Sequence, residues 1–118
     1  MIKSTNFNIN ETDWVKFEKN RAIGIYSKDL DLSGAIKNFT IKLMKVEPNG
    51  EFPPHIDNYS HLFYLISGIG EGLLRDEVYK MENGHVTFVK AGERHGYRNI
   101  GNKDMYLITM NIPEKERQ

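Results

Sequence analysis

The sequence of this 118-residue chain predicts an all-β fold, a sandwich or barrel. Three observations carry that expectation. Short runs rich in β-branched and aromatic residues recur along the chain, Gly, Pro or Asn closes most of them, and helical periodicity is nearly absent. Many short strands at such spacing build sandwiches and barrels rather than α/β layers.

The elements follow in order. The best helical candidate is 12–17 (TDWVKF), a turn or two at most and too short to stand alone. Strands are expected at 22–26, 38–46, 61–66, 70–75, 78–81, 85–89, 96–98 and 105–111. The punctuation is Pro48-Asn49-Gly50, Pro53-Pro54, Ser67-Gly68, Asn83-Gly84, Ala91-Gly92 and Gly101-Asn102. No repeat or low-complexity stretch interrupts this pattern.

Alternation assigns faces, because successive strand side chains point to opposite sides. Phe39, Ile41 and Leu43 share one face; Thr40, Lys42, Met44 and Val46 share the other. If His61 points inward, Phe63 and Leu65 follow it, while Leu62, Tyr64 and Ile66 point outward. Met105, Leu107, Thr109 and Asn111 alternate with Tyr106, Ile108 and Met110. Both faces of these two strands are apolar, which is expected of strands covered on both sides. Trp14, Val15 and Phe17 can cover one outward row, and covering both leaves little apolar material. A homodimer is therefore expected, with 22–26 or the residues before it reaching the partner.

Composition excludes several classes. Sixteen basic and sixteen acidic residues balance, with no block of like charge, so there is no electrostatic case for nucleic acid or a membrane surface. No apolar run approaches membrane-spanning length, and MIKSTNFNINETDW has no apolar signal core. Without cysteine there are neither disulfides nor thiolate ligands. The cytoplasm is the expected location. No nucleophile–base pair, phosphate loop or dinucleotide fingerprint is present.

Chemistry concentrates in His55, Asp57, His61 and His95. His55 and Asp57 are two apart and so share a strand face, His61 follows a short turn, and His95 arrives from a later strand. Imidazole and carboxylate are the usual nitrogen and oxygen ligands of first-row divalent metals. These residues predict a metal site inside the barrel. Glycines frame it: six residues separate His61 from Gly68, and five separate Gly84 from Lys90-Ala91-Gly92. Two more residues reach His95 and three more reach Asn99.

That frame resembles the cupin superfamily, whose two motifs read G-x5-H-x-H-x3,4-E-x6-G and G-x5-P-x-G-x2-H-x3-N. Gly50, His55, Gly68, Gly84, Gly92, His95 and Asn99 match in kind, with one residue fewer between Gly50 and His55. Asp57 stands for the second His, His61 for Glu and Lys90 for Pro. The chain is similar to a branch of small single-domain cupins with His at the Glu position, which bind metal through four histidines. The resemblance implies a double-stranded β-helix, or jelly-roll barrel, as one domain over 1–118. Within it, 1–20 would be an N-terminal segment and 38–112 the barrel carrying both motifs. It also implies one divalent transition metal (Fe, Mn, Ni or Zn) and strengthens the expectation of a dimer.

Asp57 leaves two readings open. A carboxylate reaches less far from Cβ than an imidazole, so it either binds the metal directly, as in the His-x-Asp…His facial triad, or acts through water or a neighbouring ligand. Positions left open on the metal could serve a dioxygenase, or an isomerase or lyase acting through Lewis-acid polarisation. A non-enzymatic small-molecule or metal-binding module is the alternative. Tyr97, two beyond His95, is a weaker catalytic candidate, with a core aromatic as its other reading. Phe63 and Leu65 could wall the pocket, and Tyr59 and Glu93 could line its entrance. His85 is expected to be an exposed turn residue, and Asn99 to tie the turn after its strand.

Overall fold

The computed structural model describes residues 4–30 and 39–113. Residues 1–3 of the expected N-terminal segment and Asn38 of the 38–46 run lie outside them. The expected β-fold is present. Among the described residues nine strands run in order β1 (Val15–Lys16), β2 (Ile23–Asp29), β3 (Thr40–His55), β4 (Ser60–Ser67), β5 (Gly70–Leu74), β6 (Glu77–Met81), β7 (Val86–Val89), β8 (His95–Asn99) and β9 (Met105–Ile112). Every pairing is antiparallel, in the order β6-β5-β8-β3-β9-β4-β7, with β2 on β3 and β1 on β2. Among the described residues, no helix is long and apolar enough to cross a membrane.

β3 joins the two halves of the curled sheet. Its first part pairs with β9 from Thr40 to Val46, and its last part pairs with β8 from Glu51 to His55. Pro48-Asn49-Gly50 does not end the strand. It forms the corner, where the register against β2 slips between Ile23 and Ile25 and Asn49 takes φ 67°. The helical expectation at 12–17 is corrected. Val15 and Lys16 pair with β2, and the helical turns are two 3-10 pieces at Ile9–Glu11 and Lys19–Arg21. Backbone pairing with β2 satisfies more of this segment than an isolated turn would.

The inward alternation packs the core. Ile25, Val46, Leu65, Met105 and Leu107 are fully buried, with Met44, Phe63 and Tyr97 beside them. Outside, Trp14 stacks obliquely near Tyr106 at 6.2 Å. The row on β4 and β7 stays open: Tyr64 and Ile66 are each 42% exposed, Val86 62% and Phe88 55%. Asn99 ties its turn as expected, donating to Val46 O (2.9 Å) and Lys103 O (2.8 Å) and accepting from Gly101 N (2.8 Å).

Candidate metal centre

Two pairs of facing residues build the site. His55 lies opposite His95 across β3 and β8, and His61 lies opposite Asn111 across β4 and β9. The curl of the sheet brings the two halves together, so that the His95 ring is 4.3 Å from His55 and 4.7 Å from His61.

A bulge aims His55 inward. Phe52 pairs with Tyr97 and His55 with His95, so β3 uses one residue more than β8 between these pairs. Without that extra residue, Phe52 and His55, three apart, would face opposite sides. Pro53-Pro54 occupies the irregular stretch, where no ladder N–H is needed. The bulge presses on Gly96, where a Cβ would meet Phe52 O at 2.7 Å and Pro54 N at 3.0 Å. At the other motif, Gly92 takes φ 88° in the turn before His95, and its N–H donates to Asp57 O at 2.8 Å. That bond and Ala91 N donating to Ser60 Oγ (3.1 Å) pin the Asp57 loop to the His95 loop.

His55, Asp57, His61 and His95 present ligand atoms that all lie within 4.8 Å of one another. Asp57 Oδ2 is 2.7 Å from His61 Nε2, 3.1 Å from His55 Nε2 and 3.6 Å from His95 Nε2. Ligands at about 2.1 Å from one ion are roughly 3.0–3.4 Å apart at octahedral or tetrahedral angles; the 3.1 Å separation falls in that range, and the 2.7 and 3.6 Å ones lie just outside it.

The other ring nitrogens are spoken for. His55 Nδ1–H donates to Pro53 O (2.7 Å), His95 Nδ1–H to Glu93 O (2.9 Å) and His61 Nδ1–H to Asn111 Oδ1 (2.9 Å). A carbonyl acceptor at Nδ1 fixes the tautomer that leaves the Nε2 lone pair free. Nε2 of His55 and of His95 is buried and without a hydrogen bond. Two orphaned lone pairs beside a carboxylate are costly unless a cation completes them, and the set could hold a metal ion.

Electrostatics agree. Burial, aided by the imidazoles of His55 and His61, pushes His95 down to about 4 against the opposing pull of Glu93 O and Asp57, so it is neutral at pH 7. Burial would raise Asp57, but its 2.7 Å contact with His61 Nε2 and the nearby imidazoles of His55, His61 and His95 outweigh it and hold the carboxyl below its ordinary value. Both shifts favour the ligand forms.

A cavity of about 200 Å³ opens beside Asp57 and His61. Phe17, Met44, Phe52, Phe63 and Tyr97 form its apolar wall. Tyr59 lines it as expected, whereas the Glu93 carboxylate turns away to Arg75 (2.8 Å) and Leu65 is core. Tyr97 is 3% exposed with an unpartnered hydroxyl, and burial pushes its phenol up. It edges Phe52 and Phe63 at ring distances of 5.6 and 5.5 Å. His85 is exposed, with Nδ1 near Lys80 O (2.9 Å), and takes no part. Sequence reading missed Asn111 as the His61 anchor, although alternation had grouped this polar residue on one face with Met105, Leu107 and Thr109. It also missed Lys19, which no motif marks.

The sequence profile of the cupin domain matches residues 42–111. A solved structure of a predicted oxalate decarboxylase from Thermotoga maritima superposes with a TM-score of 0.84 at 20% identity, over 93% of this chain and 100% of that one. The polyketide cyclase RemF from Streptomyces resistomycificus gives 0.83 at 19% identity, over 98% and 83%. Among curated proteins, the HTH-type transcriptional activator RhaS of Escherichia fergusonii is 27% identical over 70 residues, 59% of this chain. The chain spans 25% of the length of that relative.

Proposed function

The chain belongs to the cupin domain family, and from that premise we propose that it is a cytoplasmic, metal-dependent enzyme of oxygenase type acting on a small organic molecule. His55, His61 and His95 are its histidine ligands and Asp57 its carboxylate ligand, the metal being Fe, Mn, Ni or Zn. The observation that carries the reading is the pair of buried, unpartnered Nε2 atoms on His55 and His95 beside Asp57 Oδ2. Such a donor set leaves up to two positions open on a six-coordinate ion, enough for one bidentate oxygen ligand, and the ion would supply Lewis acidity there.

The chain's own residues do the rest. Pro53 O, Glu93 O and Asn111 Oδ1 hold the imidazoles in orientation, and Asp57 offsets the cation's charge. Phe52 and Phe63 keep water from the cavity side. The test needs no substrate. Protein loaded with Fe(II) under nitrogen is titrated with nitric oxide and followed by electron paramagnetic resonance. A new signal in the wild type, absent in His95→Ala, supports open positions; uptake of Fe(II) with no signal contradicts them.

The likeness to part of a transcriptional activator favours a second reading, a non-enzymatic module that captures a small molecule. A ligand recovered unchanged after prolonged incubation with the loaded protein in air would favour it. A homodimer is part of the proposal, and the open row of Tyr64, Ile66, Val86 and Phe88 is the surface it would use.

A further inference from the structure

The cavity that opens beside Asp57 and His61 is also lined by two lysines, Lys19 and Lys42. The lysines differ in how they are matched. Lys42 forms an ion pair with Asp29. Lys19 donates to the Tyr59 hydroxyl and lies over that ring, 5.0 Å from its centre, and among the described residues meets no carboxylate. Tyr59 in turn packs edge-on to His61 at 4.9 Å, so the Lys19 contact abuts the ligand cluster.

The backbone that delivers Lys19 is unusual. It sits on the second 3-10 turn, where Asn20 and Arg21 take φ 55° and 62°, consecutive left-handed conformations in residues with a Cβ. Such strain gathers where a segment is held for a purpose other than stability. Phe17 anchors the same segment, edge-on to Phe52 at 5.6 Å. The N-terminal strap therefore supplies both an apolar wall and an exposed ammonium that meets Tyr59 and, among the described residues, no carboxylate.

We propose that Lys19 is the anion-recognising residue of this cavity and that the ligand is a small organic carboxylate with an apolar body. Its carboxylate meets Lys19 and Tyr59, and its body lies against Phe17, Phe52 and Phe63. Size supports a small ligand, since 200 Å³ holds roughly seven water-sized groups at about 30 Å³ each. Charge supports an anion, because a divalent ion beside a single Asp57 leaves the cavity positive even before Lys19 is counted. This assignment rests on the metal reading above, and the experiment separates the two.

Benzoate and benzamide share shape and differ in charge. Each is titrated calorimetrically into zinc-loaded and chelator-stripped protein, in the wild type, Lys19→Gln and Lys19→Arg. Benzoate is expected to bind more tightly than benzamide. Lys19→Gln should weaken benzoate about fivefold, leave benzamide unchanged and leave zinc content unchanged. Lys19→Arg should restore the preference, and added salt should shrink it. Equal binding of the two probes in the wild type overturns the inference. So does a preference that survives Lys19→Gln but disappears with the zinc, which would place the anion on the metal and uphold the metal reading. If no zinc binds, the metal reading falls, and the stripped protein still tests Lys19.

Discussion

Acid should destabilise the metal-free protein through His95 in a defined window. In the folded chain burial holds this imidazole at about 4, against 6.5 for an exposed one. An unfolded chain therefore binds a proton below pH 6.5 that the folded chain refuses, so stability falls as pH falls until the folded imidazole also titrates. At roughly 1.4 kcal/mol per pH unit, the gap corresponds to about 3 kcal/mol lost between pH 6.5 and 4. Asp57 adds its loss lower, since its folded carboxyl is held below the ordinary value and its stabilisation fades only as pH falls through the carboxylate range. Urea unfolding of chelator-treated protein at half-unit pH steps measures the slope. His95→Gln, which cannot titrate, should flatten it by about 3 kcal/mol over the same window. Identical slopes for wild type and His95→Gln would refute the reasoning, because they would mean that His95 takes up a proton as readily folded as unfolded.

Other outcomes follow from the geometry. Asn111→Leu removes the acceptor of His61 Nδ1–H and should lower metal affinity about 10- to 100-fold in chelator competition, without unfolding the chain. Light scattering at micromolar concentration should give twice the 13.7 kDa chain mass. Tyr64→Glu with Phe88→Glu should return it to one, whereas a wild-type monomer would mean that the outer rows are covered within one chain.

The fold and the cluster of His55, Asp57, His61 and His95 were legible because both depend on local periodicity. Period-two alternation sorted His61, Phe63 and Leu65 from Leu62, Tyr64 and Ile66, and the burial follows that sorting. Glycine spacing located His95, since the turn at Gly92 needs a positive φ wherever it occurs. What escaped depends on long-range pairing. Pro48-Asn49-Gly50 and Pro53-Pro54 read as strand ends, yet β3 carries both as irregularities because different partners flank its two halves. The Pro53-Pro54 bulge also fixes the side on which His55 emerges, a consequence of register that no local pattern records. The segment 12–17 reads as helical only while β2 is ignored. Lys19 reaches the cavity through a strained turn and a contact with Tyr59, forty residues away.

Metal content tests the central claim most directly. Protein purified without chelator, or stripped and reloaded, is assayed by elemental analysis beside the His55→Ala, His61→Ala, His95→Ala triple variant. One divalent transition metal per chain is expected in the wild type and almost none in the triple variant, with Asp57→Ala between them. Equal metal in wild type and triple variant, or none in a reloaded wild type, would contradict it.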